Sequence, residues 1–141
     1  MDVPMVATVS LTIDAPRASV WAALVDGAAI TRYMFVTEVE SEWRVGAPIR
    51  WKGEFGDRLL DIAGLIRRIE NGRTLGYSYV DPITGGERRV SIELSDEVPE
   101  TRITVVQEGH ARDVERAHAE GGWRLTLNNL KWLLERGASG R

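Results

Sequence analysis

The 141-residue sequence contains no cysteine and only two histidines, His110 and His118. The missing cysteines exclude disulfides, thiolate metal sites and cysteine nucleophiles. The two histidines do not have the spacing of a metal-binding helical pair, and the segment between them, 111–117, is rich in charged residues. We therefore expect both histidines to lie in a solvated loop, and we expect neither a metal nor another cofactor.

Long apolar runs and basic runs are also missing. No apolar stretch approaches the length that crosses a bilayer, and the N-terminus has neither the basic nor the apolar part of a signal peptide. The charges, 18 Lys plus Arg against 21 Asp plus Glu, are interspersed, and the pairs Arg67–Arg68 and Arg88–Arg89 are interpreted as solvated strand ends. These absences predict a cytoplasmic protein that neither spans a membrane nor binds nucleic acid.

What is present has the composition of an ordinary globular protein, with 43% hydrophobic and 28% charged residues. The length predicts a single domain over residues 1–141, with an ordered core at about 6–136. Residues Val6–Ile13 alternate as a half-buried strand does, and Pro16 opens a helix that Asp26–Gly27 ends. A second short helix is predicted at roughly Ala28–Met34.

The middle of the chain alternates with the period of a strand, so the segments predict a sheet with one wet face and one covered face. Asn71–Gly72 is typical of a hairpin turn, and the other connections are equally short, which makes the pairing antiparallel. The predicted inward rows are Ile49, Trp51, Gly53 and Phe55; Leu60, Ile62, Gly64 and Ile66; Leu75, Tyr77 and Tyr79; Val90, Ile92 and Leu94; and Ile103, Val105 and Gln107.

The last element is predicted to be a helix over about Ala119–Arg136, ended by Gly137. Trp123, Leu127, Leu130 and Leu134 recur at helical spacing and form one apolar stripe. Such a helix buries its stripe best on the covered face of the sheet, so the fold class is α+β.

Three segments carry a resemblance to a known group. They are Ala15–Pro16 with Val20–Leu24, then Thr101–Val105, and finally Gly122–Trp123 with Leu127–Glu135. In this order they resemble the START-like, or polyketide-cyclase-like (SRPBCC), superfamily. The branch they resemble is named after the C-terminal domain of the heat-shock protein ATPase activator.

The resemblance covers about Thr8–Glu135. It implies a helix-grip fold, in which a curved antiparallel sheet wraps around the long C-terminal helix, with two short helices after the first strand and an apolar cavity between sheet and helix. The partner it implies is a small apolar, aromatic or amphipathic molecule, and a homodimer is left open.

The residues on the predicted inward faces are the candidate ligand-binding residues, although the same aromatic side chains could simply fill a core. They are Trp51, Phe55, Tyr77, Tyr79, Gln107, Trp123 and Leu127. Gln107 stands where many relatives carry histidine, which makes acid–base chemistry there less expected. Two other functions stay open: an enzyme such as a polyketide-cyclase-like protein or a lyase, and a co-chaperone-like protein-interaction module.

The first testable prediction concerns metals. Because cysteine is absent and the histidines are two, the purified protein should contain no stoichiometric zinc or iron when measured by elemental analysis. About one metal ion per chain would contradict this expectation.

Overall fold

The computed structural model of the chain describes residues 5–55 and 57–139, and the side chains of 5–54 and 57–136. The elements, in chain order, are β1 (Ala7–Ile13), α1 (Arg17–Leu24), α2 (Gly27–Ile30), β2 (Glu38–Ser41), β3 (Pro48–Phe55), β4 (Arg58–Glu70), β5 (Thr74–Val80), β6 (Glu87–Glu97), β7 (Glu100–Glu108) and α3 (Asp113–Ser139).

The strands form one antiparallel sheet in the order β1-β7-β6-β5-β4-β3-β2. Strands β2 to β7 follow one another as a meander because each is joined to the next by a short connection. Strand β1 pairs instead with the last strand, with Val9 opposite Val105. Helices α1 and α2 therefore carry the chain from one edge of the sheet to the other.

Helix α3 lies over the concave face, and its second half closes the core. Leu127 and Leu130 are 1% and 0% exposed, and they join the buried rows of the strands, including Ile66 and Ile103 at 0% each. The α+β helix-grip fold predicted from the sequence is confirmed.

The side chains of α3 also cover the free edge of β1. Glu120 accepts a hydrogen bond from the Thr8 amide at 3.3 Å, and Glu135 accepts one from the Asp14 amide at 2.8 Å. The Lys131 ammonium donates to the Thr12 carbonyl at 2.7 Å. An edge strand with unpaired backbone groups is open to pairing with other chains, and these contacts occupy part of that edge.

Helix α3 is longer than the sequence indicated. It begins at Asp113, upstream of the expected start at Ala119, and it runs through Gly137 to Ser139, so Gly137 does not end it. The charged segment that we predicted to be a loop is helical from Asp113. Its charges form ion pairs one helical turn apart, Asp113 with Arg116 and Arg116 with Glu120, which stabilise the first turns.

The second testable prediction follows from these contacts. The Arg116 guanidinium beside Glu120, and the Lys131 ammonium beside Glu135, hold the pKa of both carboxyls below their usual range. A carboxyl whose pKa is lower in the folded chain than in the unfolded chain stabilises the fold when the pH is above its unfolded pKa, about 4.3. This stabilisation is lost as the pH falls through the pKa of the same carboxyl in the folded chain. The free energy of unfolding should therefore decrease from pH 6 to pH 3.

Urea unfolding across that range provides the measurement. The variant Glu120→Gln/Glu135→Gln should be less stable than the natural chain at pH 6, and the two curves should converge at pH 3. Parallel curves would show that these carboxylates do not contribute as the geometry indicates.

Candidate functional site

A cavity of about 610 Å³ lies between the concave face of the sheet and the first half of α3, and it opens to solvent. This volume is in the range of small-molecule sites. The lining comes from the α2–β2 connection, from β3 to β5, from the β5–β6 turn, and from β6, β7 and the first turns of α3.

Three aromatic rings form one wall of the cavity. The ring centroids of Trp51 and Tyr77 are 5.1 Å apart, and those of Trp51 and Tyr79 are 5.8 Å apart. Gly64 on β4 lies between these strands, opposite Tyr79. A Cβ at Gly64 would overlap the Ser78 carbonyl oxygen and would lie 3.0 Å from the Trp51 ring, so both the sheet and the ring leave no room for a side chain here. Offset and edge-on ring contacts of this kind stabilise the wall beyond the area they bury.

A directed chain of hydrogen bonds runs along the cavity wall from α3 to the N-terminal segment. The Trp123 indole donates to Gln107 Oε1 at 2.7 Å. Gln107 Nε2 lies 3.0 Å from His110 Nε2, and His110 Nδ1 lies 3.1 Å from the Met5 carbonyl oxygen.

The two ends of this chain fix its direction. An indole N–H can only donate, so the Gln107 oxygen must face Trp123, and the amide nitrogen must donate to His110. A carbonyl can only accept, so His110 Nδ1 carries the proton that it donates to Met5. Both ring nitrogens of His110 are therefore engaged in hydrogen bonds.

The expectation that His110 lies in a solvated loop is wrong, because this side chain is only 8% exposed. Gly109 immediately before it has a φ of 104°, and a Cβ there would overlap the Glu87 carbonyl. The glycine permits the sharp turn that brings His110 back to Gln107. His118 is exposed, as expected, but it lies on α3 at the rim of the cavity rather than in a loop.

Burial keeps the two tyrosines of the aromatic wall in the phenol form. It raises the pKa of Tyr77 well above the usual value of a tyrosine. Burial also raises the pKa of Tyr79, and the Asp81 charge adds to this, while the Arg88 charge and the Gln107 side chain act in the opposite direction. At neutral pH both groups can donate a hydrogen bond, and neither is suited to act as a base.

Arg88 is the second side chain whose predicted place was wrong. We interpreted it as a solvated strand end, yet it is 3% exposed, because it lies on the inward row of β6 with Val90 and Ile92. Its guanidinium donates to Glu115 at 2.9 Å, and it contacts Asp81 at 3.4 Å.

The Arg88 guanidinium also donates to Thr84 at 3.2 Å and to the Gly109 carbonyl. It thereby joins the β5–β6 turn, the end of β7 and the start of α3 at the edge of the cavity. The neighbouring Arg67, Arg68 and Arg89 are exposed, as expected.

The mouth of the cavity has an exposed apolar rim. Phe35, Ile83 and Val114 line the cavity and are 59%, 87% and 62% exposed. They come from three separate segments: the α2–β2 connection, the β5–β6 turn and the first turn of α3. An apolar molecule approaching the cavity would meet these side chains first.

The structure brings together five of the seven candidate residues. Trp51, Tyr77, Tyr79, Gln107 and Trp123 line the cavity. Leu127 does not: it is 1% exposed and borders a separate void of about 20 Å³ deeper in the core. Phe55 ends β3, and its side chain lies outside the described residues.

Residues 5–54 and 57–136 contain no group of three or more histidine, aspartate or glutamate side chains arranged to hold a metal ion. None of the described helices is long and apolar enough to cross a membrane.

The fold and the site together define a helix-grip domain, with an open cavity between sheet and helix. Residues 14–135 match the family model described as activator of Hsp90 ATPase homolog 1-like protein, and the chain belongs to this family. It thereby belongs to the SRPBCC superfamily that the sequence motifs indicated. No match was found among the curated proteins.

Solved structures support the same assignment. A protein from Cytophaga hutchinsonii is 32% identical over 99% of both chains, with a TM-score of 0.84. DynU16, a protein in the dynemicin biosynthetic locus, is 24% identical over 94% of this chain and 48% of its own, with a TM-score of 0.81. The Aha1 dimer from Colwellia psychrerythraea is 18% identical over 94% of this chain and 97% of its own, with a TM-score of 0.75. The last two similarities show the fold.

The third testable prediction concerns the indole donor of the hydrogen-bond chain. Trp123→Phe leaves Gln107 Oε1, on a side chain 5% exposed, without its indole partner. We expect the free energy of unfolding to fall by about 1–3 kcal/mol, as measured by urea unfolding followed by circular dichroism.

Trp132→Phe is the matched control, because Trp132 is 60% exposed on the same helix. This change should alter the free energy of unfolding by less than about 0.5 kcal/mol. Equal losses in the two variants would contradict the importance of the buried bond.

Proposed function

We propose that the protein binds a small apolar or amphipathic molecule in the cavity between the sheet and α3. The single observation that supports this proposal is the unfilled volume of about 610 Å³, lined largely by aromatic and aliphatic side chains. Protein interiors are close-packed, and voids much larger than a water molecule are few. A space this large, open to solvent and bordered by apolar side chains, is what a binding site for such a molecule requires.

The distribution of polar groups favours an amphipathic molecule with a defined orientation. The side of β3 and β4 is apolar, with Trp51, Leu60 and Ile62. The polar lining groups outside the charged cluster include Tyr79, Gln107 and His110. A ligand with one polar end would place that end towards these groups and its apolar body against β3 and β4.

Binding is proposed rather than catalysis because the imidazole of His110 and the guanidinium of Arg88 are already engaged. His110 accepts from Gln107 and donates to Met5, so it has neither a free lone pair nor a free proton for a reacting group. Arg88 is held by Glu115 and Asp81. A cyclase or lyase would need at least one such group aimed at its substrate.

Two further expectations accompany this proposal. The family description and the dimeric relative from Colwellia motivate tests of a chaperone partner and of a homodimer. Stimulation of a chaperone ATPase by the purified protein would favour the co-chaperone function. Light scattering would measure the oligomeric state, and fractionation of cells would test the cytoplasmic location.

The fourth testable prediction uses two neighbouring glycines of α3. A Cβ would meet open space at both Gly121 and Gly122, but only Gly122 lines the cavity. Gly122→Phe should place a ring in the cavity, and Gly121→Phe should not. Replacing glycine within a helix does not weaken the helix, so both variants should fold.

Binding of the neutral probe N-phenyl-1-naphthylamine, measured by its fluorescence, tests this prediction. We expect the natural chain and Gly121→Phe to bind equally, and Gly122→Phe to bind at least about tenfold more weakly. Equal binding by all three chains would place the probe elsewhere, and no binding by the natural chain would oppose the proposed function. Native mass spectrometry of the freshly purified protein would show whether a small molecule accompanies it.

A further inference from the structure

We propose that the cavity selects an uncharged aromatic molecule that carries a hydrogen-bond acceptor, such as a ring ketone, and that the Tyr79 hydroxyl is the donor that recognises this acceptor. This inference rests on the proposed function and adds to it the chemical class of the ligand and the residue that determines specificity.

The first step is the direction of the hydrogen bonds around Gln107. Its oxygen faces the Trp123 indole, so both hydrogens of its amide nitrogen point away from α3. One of them is donated to His110. Gln107 is 5% exposed, and a buried N–H group needs an acceptor. The Gln107 side chain also acts on the Tyr79 hydroxyl, whose pKa it lowers against the larger effects of burial and of Asp81.

The Tyr79 hydroxyl has a proton that is available to a ligand. A neutral tyrosine hydroxyl carries one proton to donate. The nearest anion, Asp81, does not accept that proton. Its carboxylate accepts from the Ile83 and Thr84 amides, and it pairs with Arg88. Within residues 5–54 and 57–136 no acceptor takes the Tyr79 proton, so the hydroxyl can donate to a molecule in the cavity.

The third step is the accessibility of this donor. Tyr77, the other tyrosine of the wall, is 6% exposed and also borders the small void in the core. Tyr79 is only partly buried, and it borders the cavity but not the small void. A ligand that lies on the Trp51 ring would reach the Tyr79 hydroxyl, because the two rings are in edge-on contact.

The fourth step concerns charge. Two acidic and two basic side chains are among the described residues that line the cavity: Asp81, Glu115, Arg88 and Arg112. Glu115 pairs with Arg88 at 2.9 Å and with Arg112 at 3.1 Å. The cluster is balanced, so a charged ligand would find no uncompensated partner to offset its desolvation. The cavity therefore favours an uncharged molecule.

A pair of rigid probes with the same ring frame tests the inference: 9-fluorenone, which carries a ketone, and fluorene, which has a methylene in its place. A third probe, fluorene-2-carboxylate, adds a charge. Affinities are measured by displacement of N-phenyl-1-naphthylamine. The natural chain should bind 9-fluorenone roughly three- to tenfold more tightly than fluorene, the range of one neutral hydrogen bond, and it should bind the carboxylate most weakly.

Tyr79→Phe should abolish the preference for 9-fluorenone and leave the affinity for fluorene unchanged. Tyr33→Phe is the matched control: its hydroxyl donates to the Ala23 carbonyl at 2.8 Å, and the residue does not line the cavity. Loss of the Tyr33 hydroxyl should leave the ratio of the affinities for 9-fluorenone and fluorene as it is in the natural chain, even if the free energy of unfolding falls.

Three results would overturn the inference while the proposed function stands. These are equal binding of the two neutral probes, a ratio unchanged in Tyr79→Phe, or a ratio abolished by Tyr77→Phe instead. Tightest binding of the carboxylate would overturn the part that concerns charge. A different result, no binding of fluorene or of the displaced probe to the natural chain, would count against the proposed function itself.

Discussion

A straight helix can fill only part of the hollow of a curved sheet, and this constraint shapes the molecule. Helix α3 has 27 residues and is therefore about 40 Å long. Its second half descends into the core, where Leu127 and Leu130 have almost no exposed surface. Its first half stands away from β3 to β5, and the space left between them is the cavity.

Different forces hold the two halves of the helix. Apolar packing holds the second half, together with the bonds from Lys131 and Glu135 to the free edge of β1. Polar contacts hold the first half: the Trp123 indole on Gln107, and Glu115 on the buried Arg88. The polar groups are placed where the helix has no sheet to pack against. The cavity and a well-packed core therefore both lie between the same helix and the same sheet.

Much of the fold could be predicted from the sequence, because the strands alternate regularly. Trp51, Tyr77 and Val105 are buried, as the period of two predicts. The start of α3 could not be predicted in the same way. A charge-rich segment such as 113–119 has no apolar stripe, and its helix depends on ion pairs that only the helical conformation creates.

Two polar side chains of the site were not predicted. Arg88 and His110 are buried because of partners far away in the sequence, Glu115 and Met5. An isolated arginine or histidine in a sequence is exposed more often than buried. The alternation of β6 does place Arg88 on the row of Val90 and Ile92, but it gives no sign of the distant partners that hold a charge there. The burial of Leu127 in the core could have been anticipated, since a leucine in the centre of a helix stripe packs in a core more often than it borders a cavity.

The division of α3 into two halves has a consequence for the motions of the molecule. Elements held by few apolar contacts open locally at a lower free energy than the core, without unfolding of the rest. The first turns of α3, with Val114 62% exposed, belong to that class, whereas the turns around Leu130 belong to the core. Backbone amides from residue 117 to 122 should thus exchange with deuterium sooner than those from 127 to 133. The same local opening would widen the cavity mouth and set the rate at which molecules enter and leave.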